Sequence, residues 1–184
     1  MEINADIASE IFRQKQNQDP AQATVSFPSG NLVICESAEL DEPRVAKTKL
    51  PAGDYPVHIY YLPEEELQEL DASPTVGIDA IVVGFSDKEI VRWEEVTDDE
   101  DEPLVDSGNV IDFVIGDQNT IGDLEDDIAA AMEDCYTEGF EACGENAALA
   151  VYVGEVALEH KFFWAFDADS KPAKLFGVFA YPEV

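Results

Sequence analysis

Val105-Asp106-Ser107-Gly108 is a place in this chain where residue types permit chemistry. A carboxylate followed by a hydroxyl, between an acidic stretch and an apolar run, can present Asp106 to a ligand. The same order suits an Asx or β-turn at a strand entry, where Asp, Ser and Gly are favoured for backbone reasons. Ser107 lies outside any GxSxG elbow, so no hydrolase motif supports it as a nucleophile. With Asp112 nearby, Asp106 would form a carboxylate cluster for an enzyme or a metal-dependent ligand binder. The densest acidic run is Glu94-Glu95 followed by Asp98-Asp99-Glu100-Asp101-Glu102. It can grip cations or a basic partner, or it can be a solvated loop, as charge runs usually are.

Other constellations fail on their spacing. Asp167-Ala168-Asp169-Ser170-Lys171 starts like a calcium loop, but Lys171, Pro172 and Val178 stand where an oxygen ligand, a glycine and a bidentate glutamate are needed. A hairpin turn is expected there. His58 and His160 belong to no HExxH or other ligand pair, so each is expected to be structural or surface-exposed. The three cysteines, Cys35, Cys135 and Cys143, form neither a CxxC nor a zinc pattern, and their odd number argues against a disulfide framework. Cys35 sits in an apolar run and is expected to be a small buried hydrophobe. No metal and no cofactor are called for, and nothing in the sequence identifies a chemical activity.

Charge constrains the partner more than any motif does. Forty-one acidic residues face ten basic ones in 184 residues, a formal net charge of -31. Such a field repels phosphates and anionic membrane surfaces, which excludes nucleic acid binding through a basic groove. A hydrophobic fraction of 46% with long apolar runs argues for a folded core instead of a disordered acidic chain. The acidic N-terminus has no signal-peptide pattern and no stretch suits a membrane helix. The expectation is a cytoplasmic protein forming a single acidic domain over residues 1–184.

The elements that must position these residues follow from periodicity. Ile3, Ile7, Ile11 and Phe12 recur at helical spacing, which predicts a helix over Asn4 to Gln16, ended by Asp19-Pro20. Ala23 to Phe27 and Leu32 to Glu36, around Pro28-Ser29-Gly30-Asn31, predict a hairpin. Val45 to Leu50 reads as a weaker strand. Tyr55 to Leu62 reads as another after a Pro51-to-Asp54 turn, with Pro56 marking an edge or a strand beginning. Pro63 to Pro74 reads as an acidic loop or a helical turn. Val76 to Phe85 and Ile90 to Val96 predict a second hairpin, Thr97 to Pro103 an acidic loop, and Val110 to Ile115 a short strand. Leu124, Ile128, Ala131, Met132 and Cys135 share a helical face, giving a helix over about 121–136 with Thr120 as N-cap and Gly139 as stop. Ala148 to Gly154, Phe162 to Asp167 and Ala173 to Tyr181 complete the strands, the last two as a hairpin. Eight or nine strands and two helices predict an α+β fold, a predominantly antiparallel sheet or sandwich. Three adjacent aromatics, Phe162, Phe163 and Trp164, must point to both faces of their strand.

In this order Phe27-Pro28-Ser29-Gly30, Leu50-Pro51-Ala52-Gly53-Asp54-Tyr55-Pro56-Val57, Ile90-Val91-Arg92-Trp93-Glu94, Val105-Asp106-Ser107-Gly108 and Phe166-Asp167-Ala168-Asp169-Ser170-Lys171-Pro172 stand as turn-and-strand signatures. Together they resemble the bacterial domain of unknown function 4241 family, from about residue 23 to the C-terminus. The resemblance implies a fold and no settled activity, and it carries over no functional residue. The chain departs from that family in its acidity and in the Asp98 to Glu102 run.

Three functional classes are weighed. The leading one is a non-enzymatic interaction protein that binds a basic protein, as an antitoxin, an immunity-type inhibitor or a mimic of nucleic acid charge. The second is the carboxylate-rich enzyme or metal-dependent binder. The third is a fold adapted to a salty cytoplasm, whose charge serves no partner.

Overall fold

A computed structural model describes residues 2–69, 77–105, 111–154 and 159–181. Helix α1 (Ala5–Lys15) opens on Asn4, whose Oδ1 accepts the Ile7 N–H at 3.0 Å, an N-cap that satisfies an orphan donor. The strands are β1 (Ala21–Phe27), β2 (Leu32–Cys35), β3 (Gly53–Tyr61), β4 (Ile78–Gly84), β5 (Arg92–Glu95), β6 (Asp112–Asp117), β7 (Phe140–Cys143), β8 (Ala148–Tyr152), β9 (Glu159–Phe166) and β10 (Pro172–Ala180). A short acidic helix α2 (Glu64–Glu69) follows β3, and α3 (Glu125–Glu138) follows a 3-10 turn at Ile121–Leu124.

Two antiparallel sheets result. One has the order β1-β3-β4-β10-β9-β5, the other β2-β6-β8-β7. The α+β, mainly antiparallel reading is therefore right, with ten strands among the described residues. Strand alternation sends side chains to opposite faces, and that sorts the core into three clusters. Between the sheets lie Phe27, Ile34, Ile59, Ile81, Phe113, Trp164 and Phe166. On the outer face of the six-stranded sheet, Phe12 and Ala8 of α1 pack on Tyr60, Val82, Phe163 and Phe176. On the outer face of the four-stranded sheet, Ile128, Met132 and Cys135 of α3 pack on Val33, Val114 and Ala150. Phe162, Phe163 and Trp164 are all buried because both faces of β9 are covered.

Several connections differ from the sequence reading. β1 and β2 are consecutive but do not pair. Gly30 has φ +76, and an added Cβ there would lie 2.1 Å from the Leu50 carbonyl oxygen. At this glycine the chain leaves the first sheet, and β2 pairs with β6 in the second. β4 and β5 form no hairpin either, because the β9–β10 hairpin inserts between them. Its residues are buried on both faces, which favours a central place over an edge. Pro56 lies in an interior strand, opposite Thr24 and four residues in, so it marks no edge. Val45 to Leu50 makes only an isolated bridge from Val45 to Val33. Thr120 is no side-chain cap: its hydroxyl donates to the Asp117 carbonyl at 3.3 Å. Gly139, with φ +87, does end α3, its N–H donating to Cys135 at 2.8 Å.

A β-bulge between Tyr60 and Tyr61 sets Asp79 out of register. Its carboxylate meets the Lys15 ammonium from the last turn of α1, so a buried ion pair fixes that helix to the sheet. Burial raises the Asp79 pKa, and Lys15 only partly opposes this.

Candidate functional site

The acidic run does not form one cluster. Glu94 and Glu95 lie on β5 and are exposed. Asp98 to Glu102 form a closed turn beyond it. The Asp98 carboxylate accepts the N–H groups of Glu100 at 2.9 Å and Glu102 at 3.0 Å, and the Asp98 N–H donates to the Glu102 carbonyl. Such self-capping is what a short Asp side chain does in a turn. Asp101 pairs with Lys47, whose pKa this carboxylate raises, and Glu94 lies 3.5 Å from Arg92. Asp99 and Glu100 project into solvent.

Asp106 lies outside the described residues, with Ser107 and Gly108. Asp112 accepts the Ser37 hydroxyl at 2.7 Å and the Ser37 N–H at 3.2 Å, which ties it to the chain after β2. Among the described residues no group of three His, Cys, Asp or Glu side chains is arranged to hold a metal. Asp167 closes the β9–β10 turn as expected, accepting from Asp169 at 2.9 Å and Lys171 at 3.0 Å. The Lys171 N–H foremost, with Asp169 and Lys88 adding to it, holds this carboxyl below the usual range against its burial.

The acidic residues of α3 become a surface once the helix is placed. Burial of Ile128, Ala131, Met132 and Cys135 turns Asp123, Glu125, Asp126, Asp127, Glu133, Asp134 and Glu138 outward. No basic residue sits in the last turn, where Asp134 and Glu138 oppose the helix dipole. Exposed Tyr136 sits on the same helix, its ring against Tyr152. The helical period held this signal, since the positions off the apolar stripe are acidic toward both ends of the helix, with Ala129 and Ala130 between them.

Most of the ten basic side chains, meanwhile, are engaged. Lys15, Lys47, Lys88, Arg92, Lys161 and Lys174 each pair with a carboxylate. Arg44 donates to the Pro103 carbonyl at 2.8 Å. The excess of carboxylates is thus presented to solvent with little basic surface among them.

A second feature lies on the opposite side of the molecule. Where α1 stops covering the six-stranded sheet, a groove of about 540 Å³ opens, lined by His58, Gly84, Ser86, Lys174 and Asp54 among others. These residues come from strands far apart in the chain, and no spacing in the sequence could have joined them.

No helix among the described residues is long and apolar enough to cross a membrane. No family model, curated protein or solved structure matches the chain.

Proposed function

We propose that this is a non-enzymatic cytoplasmic interaction protein that binds a basic protein, in the manner of an antitoxin, an immunity protein or a nucleic acid charge mimic. The observation that carries the reading is the outer face of α3, where Glu125, Asp126 and Asp127 at one end and Glu133, Asp134 and Glu138 at the other are exposed with no basic residue on the helix. Carboxylates in a last turn cost about 0.3–1 kcal/mol each. A fold selected for stability alone would place lysine there. A basic partner would offset that cost and be steered by the same field. The family resemblance belongs to this proposal and assigns no residue a role.

The test is capture from a host lysate on the immobilised protein, washed at low and then moderate salt. One basic protein, held at low salt and released by moderate salt, supports the reading. The variant carrying E133Q, D134N and E138Q should lose that partner by at least about tenfold while melting at a higher temperature than its parent, because its last-turn carboxylates no longer oppose the helix dipole. Equal capture by the two proteins would move the site away from α3, and no salt-sensitive partner would end the reading.

One observation favours a high-salt adaptation instead. Exposed carboxylates also lie on α1, α2 and the Asp98 to Glu102 turn, so they surround the molecule. That reading expects stability to keep rising into molar potassium chloride with no protein captured.

A further inference from the structure

We propose that Tyr136 anchors the acidic face of α3 and that the partner docks there with an arginine side chain, its guanidinium lying on the Tyr136 ring and pairing with Glu133. This rests on the reading of α3 as the binding face and deepens it. Carboxylates select charge, whereas a ring beside them selects the group that carries the charge. Tyr136 is the only exposed aromatic among the described residues, 50% exposed where the other rings are buried or half-buried. The apolar stripe of α3 is complete without it. Ile128, Ala131, Met132 and Cys135 meet the sheet, and Tyr136 falls on the flank of the helix. Its ring is nonetheless held. It stands edge-to-face against Tyr152 of β8, with centroids 4.8 Å apart and planes at 71°. Tyr152 packs in turn on the cluster under α3. A large ring that is already held loses little freedom on binding, which suits an interface anchor.

The surroundings of the ring choose the occupant. Glu133 precedes Tyr136 by three residues, which sets the two side chains next to each other on the helix surface. Ala129, exposed one turn before Glu133, is too small to cover either. An apolar or anionic partner would leave the carboxylates of this face without a counter-charge. A cation that also lies flat on a ring is a guanidinium. It is planar and weakly hydrated, so it stacks while its N–H groups donate to a carboxylate, whereas an ammonium is a strongly hydrated point charge. The chain makes this arrangement once within itself. Arg92 lies over the Phe166 ring, 4.3 Å from its centroid, with its Nε 3.5 Å from the Glu94 carboxylate. At Tyr136 the ring and the carboxylate are present without the arginine. The three arginines of the chain are placed elsewhere, Arg13 at the Ser9 carbonyl, Arg44 at the Pro103 carbonyl and Arg92 at Phe166. The arginine therefore has to come from another molecule.

The six tyrosines give six signals when the full-length protein is labelled with 3-fluorotyrosine, and the one missing from Y136F is Tyr136. Buried Tyr60 on β3 is the internal control. The protein is titrated at about 0.15 M salt with two acetylated, amidated peptides of equal length and charge, one alternating glycine with arginine and the other glycine with lysine. The Tyr136 signal should move saturably with the arginine peptide while Tyr60 stays. Half-saturation is expected at a concentration at least about threefold lower than with the lysine peptide. E133Q should remove most of that advantage while keeping the parent's circular dichroism. Equal half-saturation by the two peptides, or a Tyr136 signal that does not move, would overturn the proposal. Either result leaves α3 able to hold a basic partner by charge alone, which capture by the E133Q, D134N and E138Q variant decides, so the two readings fail separately.

Discussion

His160 projects from β9 into the space between the sheets, 2% exposed, against the rings of Phe113 and Phe179. Neither ring nitrogen has a hydrogen-bond partner among the described residues. Burial pushes its pKa down from 6.5 to about 4, against a smaller upward pull from Glu159. Between those values the unfolded chain binds a proton that the folded one does not. Stability therefore falls as pH drops through that window, by about 3 kcal/mol across all of it. Asp79, raised by burial, works in the opposite direction at acid pH, so the comparison must be between variant and parent. In urea unfolding at about pH 7.5 and about pH 4.5, H160L should lose less stability on acidification than the parent. The same slope in both proteins would mean that His160 does not titrate as described. The thiols give a second residue-scale expectation. Burial first, and neighbouring carboxylates after it, push Cys35 and Cys135 up to about 12 and Cys143 to about 11. Because only the thiolate is nucleophilic, all three should resist a thiol reagent at about pH 8 until the protein is unfolded. Rapid native labelling of any one would refute its burial.

At the scale of elements, the crossing from β1 to β2 decides the sandwich. Gly30 takes a left-handed conformation, and Leu50 donates its N–H to the Gly30 carbonyl at 2.9 Å. Ser29 is held in turn by Asp117 of β6, a fully buried carboxylate that accepts the Ser29 N–H and hydroxyl at 2.8 Å and the Asn119 N–H at 2.8 Å. G30A adds both a positive-φ penalty and a clash with backbone, so a loss of at least about 2 kcal/mol is expected in denaturant unfolding. A loss under about 0.5 kcal/mol would show that the crossing adjusts freely. This element also shows what sequence could not resolve. Pro28-Ser29-Gly30-Asn31 is turn chemistry, and turn chemistry reads the same whether the next strand pairs with its neighbour or enters another sheet.

For the whole molecule, a net charge of -31 on one folded chain means that carboxylates repel each other across the surface. Screening should relieve this. The melting temperature is expected to rise by several degrees between about 0.01 M and about 0.3 M salt, as the Debye length shortens from about 30 Å to under 10 Å. A rise that levels off there fits an acidic binding surface, whereas a continued rise into molar potassium chloride fits adaptation to a salty cell. No change at all would mean that the charges are too far apart or too well solvated to matter. The sequence by itself determined the charge, the apolar runs, the positions of α1, α3 and most strands, and the β9–β10 hairpin, because helical or alternating periods and turn residues act over short stretches. It missed β7, four residues of mixed polarity, and it joined β1 to β2 and β4 to β5. Only the tertiary structure decided which strands are central, which face of α3 meets solvent, and that Gly84, Lys174 and Asp54 share a groove. Those outcomes depend on hydrogen bonding and burial between segments far apart in the chain, where the most apolar strands take the places covered on both sides.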